Sequence, residues 1–297
     1  MRGKISFRAI ALALVVTVVG AAGIAAVAGA RNADVTVTAK LAPNVGKAGQ
    51  PVNFKTSLTN NKSSTTHLVS TTSFPSGTAI GPTAASSATC TTSIVNTFVV
   101  VTCDFGQVAM GVPSSVEIVA TPDAANANWE VVQTWGFFDV KGQGGNAQST
   151  DNVVLKRAIQ VYPSADGSVD STCLPNTAGA LSATKDGSSI SMQTPALSSG
   201  LCDPVAVQVV SANKLMSFAP TFSSDAPGTL TLGFAGGKLK DTLFYSVTDG
   251  GPSIQVPLCA ATPVSATVPA CEQSRMISAG VLYINVDWTG DDPFWNL

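Results

Sequence analysis

"CDFGQVAMGVPSSVEIVA", residues 103–120, is the stretch that decides the fold. Gly106 and Gly111 lack a Cβ atom, which permits the backbone angles of two successive turns. After these turns the chain alternates strictly, with Val116 and Ile118 on one face and polar residues on the other. Alternation with a period of two predicts a half-buried β-strand whose apolar face fills a core.

The same alternation recurs elsewhere in the chain. In residues 51–60, PVNFKTSLTN, Val52 and Phe54 share one face, whereas Asn53 and Lys55 share the face that we expect to meet solvent. Further alternating runs lie at residues 35–38, 115–118 and 230–234. Clusters of Gly, Pro, Asn and Ser separate these runs, and no helical periodicity is found after residue 30. We therefore predict an all-β protein with two β-sandwich domains.

The first 30 residues have the pattern of an export signal. Arg2, Lys4 and Arg8 are followed by an uncharged run that ends in small residues. This pattern predicts a cleaved signal peptide at residues 1–30. The alternative is an uncleaved N-terminal anchor helix, in which residues 9–30 cross the membrane and the rest of the chain lies outside.

The charge balance argues against one class of partner. Without residues 1–30 the chain has 13 basic and 18 acidic side chains, a net charge of about −5. Nucleic acid binding needs clustered Lys and Arg, so we predict no nucleic acid partner.

The six cysteines predict disulfides. In an exported chain an even number of cysteines is typical of a disulfide framework, and six cysteines allow fifteen pairings. Their order makes sequential pairing the simplest: Cys90 with Cys103, Cys173 with Cys202, and Cys259 with Cys271. Zinc binding is the alternative, but no cysteine has C-x-x-C spacing and His67 is the only histidine.

The order of motifs in residues 33–160 resembles a bacterial surface repeat family known as domain of unknown function eleven. The matching positions are Pro43, Gly46, Gly49, Val52, Phe54, Asn60, Pro75, Gly77, Cys103, Phe105, Gly106, Val108, Gly111, Val116, Ile118, Asp151 and Asn152. The resemblance implies an immunoglobulin-like sandwich at residues 31–162, with a spacer or interaction role and no activity of its own. A polar stretch at residues 161–172 then leads into a second all-β domain, residues 163–297, which would hold two of the disulfides.

Two groups of residues are candidates for ligand contact. Trp129 and Trp135 lie six residues apart, hence on one face of an extended strand, and would stack on sugar rings if that face were exposed. Burial of both rings in the core is the alternative. Asp287, Asp291 and Asp292 would offer oxygen ligands for Ca²⁺, although ordinary turn aspartates explain them equally well.

Paired carboxylates for glycoside cleavage find little support. The three glutamates, Glu117, Glu130 and Glu272, are far apart in sequence. A hydrolase in the second domain would instead need two aspartates in one cleft. Catalytic residues, a metal site and a cofactor are therefore not predicted.

These observations together predict an exported, non-enzymatic protein with a structural, adhesive or binding role. It would be extracellular or at the cell wall surface, with an extracellular protein or a wall polysaccharide as its partner. A module that binds carbohydrate or wall polymer is the first alternative, and a hydrolase in residues 163–297 is the second.

Overall fold

A computed structural model describes residues 35–40, 43–61, 66–124, 127–139, 148–174, 178–196, 200–248, 250–289 and 293–297. The leader predicted at residues 1–30 lies outside these ranges. Every regular element longer than a turn in the described ranges is a β-strand, which confirms the predicted all-β class. The described residues contain no helix with the length and apolar character needed to cross a membrane.

The first half of the chain contributes ten strands to two sheets. They are β1 (Val35–Lys40), β2 (Val45–Lys47), β3 (Val52–Asn60), β4 (Thr66–Phe74), β5 (Ala79–Ala85), β6 (Thr89–Val95), β7 (Phe98–Val108), β8 (Pro113–Thr121), β9 (Asn128–Asp139) and β10 (Gln148–Tyr162). One sheet has the order β1-β3-β8-β5 and the other β2-β10-β9-β4-β7-β6. All pairings are antiparallel except that of β2 with β10.

The apolar faces of these two sheets meet in one core. Val52, Phe54 and Ile118 from the smaller sheet are buried against Phe74 and Trp129 from the larger sheet. The Phe54 ring lies 5.2 Å from Phe74 and 5.4 Å from Trp129, both in edge-to-face geometry. Such pairs add to the stabilisation from apolar burial, so the alternation read from the sequence accounts for this core.

The second half forms a second pair of sheets. Its strands are β11 (Val169–Leu174), β12 (Gly179–Lys185), β13 (Ser188–Thr194), β14 (Asp203–Ser211), β15 (Lys214–Phe218), β16 (Gly228–Ala235), β17 (Phe244–Ser246), β18 (Ile254–Gln255), β19 (Ala270–Ser278), β20 (Val281–Trp288) and β21 (Phe294–Asn296). The sheet orders are β11-β14-β15-β21-β17-β18 and β12-β13-β16-β20-β19. A separate cluster of buried residues, including Ile190, Leu232 and Trp295, fills the space between them.

The two glycines within residues 103–120, Gly106 and Gly111, have different roles. Both adopt a positive φ, +63° at Gly106 and +77° at Gly111. Gly111 lies in the turn between β7 and β8, as predicted. Gly106 lies inside β7, where the pairing with β4 shifts register between Leu68 and Val69. The turn predicted at Gly106 is therefore wrong, and this glycine serves a β-bulge.

Candidate functional site

The structure joins the cysteines in the sequential order. The Cα atoms are 4.0 Å apart for Cys90 and Cys103, 5.2 Å for Cys173 and Cys202, and 4.9 Å for Cys259 and Cys271. No described cysteine is free. Structural disulfides persist in oxidising compartments, so this framework indicates a protein that works outside the cytoplasm.

Each bridge fixes a different kind of local structure. Cys90 and Cys103 face each other across the β6–β7 pair. The Cys173–Cys202 bridge holds the segment before β14 against β11. Leu258 pairs with Glu272 in parallel, so the Cys259–Cys271 bridge closes a loop beside β19.

Trp129 and Trp135 share one face of β9, and that face is the core. Both rings have 0% exposure. Trp129 Nε1 donates to Thr78 Oγ1 at 2.8 Å, and the Trp135 ring stacks on Phe105 with centroids 5.5 Å apart. Of the two alternatives for these rings, the structure shows burial in the core, which leaves no ring surface for a ligand.

A polar network accompanies Trp135 inside the core. Its Nε1 atom donates to Gln133 Oε1 at 3.2 Å, and Gln133 Nε2 donates to Ser70 Oγ and Thr72 Oγ1 at 3.3 and 3.1 Å. Buried polar groups are costly unless they are paired, so these bonds allow the network to lie between the sheets.

A buried polar site lies between the two sandwiches, at Glu117 of β8. Its side chain is 8% exposed. Oε1 accepts hydrogen bonds from Asn53 Nδ2 at 2.6 Å and from the backbone N–H groups of Leu201 and Cys202 at 2.7 and 3.1 Å. A carboxylate of the first sandwich thus holds the segment that carries the second sandwich's Cys202.

Asn53 and Gly200 complete this site. The Asn53 amide also donates to the carbonyl oxygen of Cys202. Gly200 has a φ of +100°, and a Cβ atom built there would overlap the Glu117 carboxylate. Lys55 Nζ lies 3.9 Å from Glu117 Oε2 and balances its charge. We call Glu117, Asn53, Lys55 and residues 200–202 the junction latch.

Further bonds connect the sandwiches beside the junction latch. Gln50 Nε2 donates to Asp170 Oδ1 at 3.0 Å, while Gln50 Oε1 accepts from the Ser171 N–H at 2.9 Å. Gln208 Nε2 donates to the Tyr162 hydroxyl at 2.6 Å. A small apolar cluster from both halves lies next to them: Val45, Val169, Ala206, Met216 and Phe218. The junction is therefore a packed interface and not a loose linker.

Sequence analysis missed this site for a definable reason. Asn53 and Glu117 lie on the strand faces that the alternation assigns to solvent. Counted over the whole residue, however, their exposed fractions are 0% and 6%. The second sandwich covers that face. The alternation pattern reports which side chains enter a strand's own core, but not what packs on the opposite face.

Asp287 is the one candidate calcium ligand that lies in the described part of the chain. Asp291 and Asp292 lie outside the described residues. Asp287 accepts a hydrogen bond from Gln273 Nε2. Asp287 also lies near the sulfur atoms of Cys259 and Cys271, but those sulfurs are bonded to each other and offer no thiolate to a metal. Calcium binding and ordinary turn roles therefore stay the two alternatives for these aspartates.

A second buried carboxylate, Glu272 of β19, is fully engaged by Arg275. The two guanidinium bonds measure 2.6 and 2.5 Å, and Arg275 also donates to the carbonyl oxygens of Leu239 and Asp241 at 2.9 and 2.6 Å. The hydrogen bond to Glu272 raises the pKa of Arg275. The bidentate pair orients the Arg275 guanidinium, and its bonds to the two carbonyl oxygens tie the loop at Leu239 and Asp241 to β19.

One shallow depression in the second sandwich has a volume of about 580 Å³. Asp241 is the acidic side chain among its described lining residues, which also include Asn213, Lys240 and Phe244. Asp241 Oδ2 accepts the Lys238 N–H at 2.8 Å and so caps a turn. A hydrolase would need a second carboxylate there.

No protein-family model matches the chain, and no curated protein matches it. Similar solved structures include a cohesin module of a Clostridium perfringens family 33 glycoside hydrolase, with TM-score 0.31, 12% identity, and coverage of 43% of this chain and 96% of that one. The major pilin subunit BcpA of Bacillus cereus has TM-score 0.27 and 10% identity, with 78% and 68% covered.

A further similar structure is the C-terminal domain of the Streptococcus agalactiae antigen I/II polypeptide BspA. It has TM-score 0.26 and 10% identity, and the match covers 87% of this chain and 89% of that one. Scores this low carry no functional argument. The resemblance of residues 33–160 to the surface repeat family stays a prediction.

Proposed function

We propose that this protein is an exported, non-enzymatic component of the cell surface or of the secreted material, with a structural or adhesive role. Its partner would be an extracellular protein or a wall polysaccharide. The observation that carries the proposal is the junction latch. A component that spans or spaces other molecules needs a fixed relation between its domains, and the buried Glu117 carboxylate supplies it.

The disulfides and the buried aromatic rings support the same role. One disulfide joins neighbouring segments in the first sandwich and two do so in the second, as is common in proteins exposed to an oxidising medium. The cores bury Trp129 and Trp135, so no described observation favours the alternative of a carbohydrate-stacking module.

Surface labelling in the native host tests this proposal. A C-terminally tagged chain should be labelled by antibody on intact cells or recovered from the medium, while a cytoplasmic marker stays unlabelled. Alkylation before reduction should modify none of the six cysteines, because all are bonded. A chain found only in the cytoplasm, with reactive thiols, would contradict the proposal.

A further inference from the structure

The outer strand β6 is an open edge of the six-stranded sheet of the first sandwich. Most of its residues are exposed, and Ile94 is 78% exposed. Outer strands normally carry features that prevent pairing with other chains, such as charges, prolines or bulges. The other described outer strands longer than three residues all have one: Lys40 in β1, Pro82 in β5, Asp170 in β11, Lys185 in β12, and Glu272 and Arg275 in β19. In β6 there is none, and its pairing with β7 has no register shift.

The geometry of the Cys90–Cys103 pair shows which backbone groups of β6 face outward. In an antiparallel ladder, residue pairs with close Cα atoms are the ones that exchange no hydrogen bonds. The Cα atoms of Cys90 and Cys103 are 4.0 Å apart, so the Cys90 N–H and C=O point away from β7. By alternation, Thr92 and Ile94 also direct their N–H and C=O groups to the open side.

The edge is also held in place. The Cys90–Cys103 disulfide joins β6 to β7 near one end, and a two-residue turn at Asn96 and Thr97 joins them at the other. Neither end of β6 can fray from β7 without breaking one of these constraints. A strand fixed in this way loses little conformational freedom when another strand pairs with it.

The chain segment that forms the edge carries no charge, and Asp104 of β7, opposite Thr89 at one end of β6, is the charged residue paired with this strand. Residues 68–103 contain no Asp, Glu, Lys, Arg or His. Two β6 strands can therefore approach each other without like-charge repulsion between their own side chains.

We propose that β6 pairs with β6 of a second copy of this chain, antiparallel, about a two-fold axis at Thr92. Thr92 is the middle residue of the seven in β6, and its backbone groups face outward. An axis there pairs all seven residues of each copy and places Ile94 opposite Cys90 of the second copy. Residues 90, 92 and 94 would then exchange about six backbone hydrogen bonds across the axis. The contact is isologous, so it closes as a dimer.

The experiment uses charge at the two-fold axis. The full mature chain is studied by sedimentation velocity up to about 1 mM, because one strand pair is small and we expect a dissociation constant on the order of 100 µM. The wild type should dimerise. Thr92→Lys and Thr92→Glu should each weaken the dimer at least tenfold. Residue 92 of one copy would lie opposite residue 92 of the other, so two like charges would meet at the axis. An equal mixture of the two variants should dimerise again, as a Lys–Glu pair.

Two further variants separate backbone pairing from side-chain effects. Thr92→Pro removes an N–H that points to the open side and leaves the β6–β7 ladder intact, so it should be folded and monomeric. Thr92→Val keeps that N–H and should dimerise like the wild type. A monomeric wild type overturns the proposal, even if β6 accepts an extended peptide from another protein. A dimer unaffected by Thr92→Pro, or a Lys and Glu mixture that stays monomeric, also overturns it.

Discussion

Asp166 couples the stability of the segment between the sandwiches to pH. Its Oδ1 atom accepts the Ser168 N–H at 2.7 Å. Hydrogen bonds from the Ser168 side chain and backbone lower the pKa of Asp166 below its ordinary value of 3.8. Because the folded pKa lies below the unfolded one, the contribution to stability is complete above about pH 4 and is lost as the pH falls through the folded value.

We therefore expect Asp166→Ala to lower the free energy of unfolding by about 1 kcal/mol at neutral pH and by progressively less below pH 4. Urea unfolding of both proteins from about pH 2 to pH 7 measures this difference. Asp225→Ala, at an exposed aspartate of the second sandwich, is the control. A difference between wild type and Asp166→Ala that stays constant with pH would contradict the assignment.

At the scale of elements, the β6–β7 hairpin contains an unfavourable backbone position. Asn96 and Thr97 form its turn with φ values of +48° and +74°. Two-residue hairpin turns with both φ values positive suit Asn followed by Gly. Asn tolerates this conformation, whereas Thr is β-branched and rarely adopts it.

Thr97→Gly should therefore raise the free energy of unfolding by about 1 kcal/mol. Asn96→Gly is the matched control, and it should change stability by a few tenths of a kcal/mol at most. Thermal unfolding of the oxidised proteins measures both. A Thr97→Gly protein less stable than the wild type would show that the threonine side chain has a compensating contact.

The predictive value of the sequence differs among elements. Where a strand face packs onto a core, the buried side chains are the ones that the alternation predicts, as at Val116 and Ile118. Gly106 was misread because a glycine signals a positive φ without telling a turn from a bulge. Trp129 and Trp135 shared a face as expected, but only tertiary structure shows that this face is internal.

At the scale of the whole molecule, the junction latch makes the two sandwiches act together. Sequence patterns did not reveal it, because Asn53 and Glu117 meet residues 200–202 only after both halves have folded. Removing the carboxylate takes the acceptor from the part-buried N–H of Leu201 and from the buried N–H of Cys202, which is costly.

Glu117→Ala should therefore lower the free energy of unfolding by about 2 to 3 kcal/mol and make the segment at residues 163–168 sensitive to protease. Calorimetry should also resolve two transitions where the wild type has one. Glu130→Ala, at an exposed glutamate of β9, should leave all three measurements unchanged. A Glu117→Ala protein that unfolds in a single transition and resists protease would show that the other contacts of the interface hold the junction without the latch.

The distribution of the four tryptophans gives this protein a built-in optical reporter. Trp129 and Trp135 are sealed in one sandwich, and Trp288 and Trp295 in the other, each at most 1% exposed. Indole emission moves to longer wavelength when water reaches the ring, so native fluorescence starts from an all-buried baseline. When both tryptophans of one sandwich are replaced by Phe, the fluorescence comes from the other sandwich alone. The unfolding of each sandwich can then be followed separately in the full-length chain.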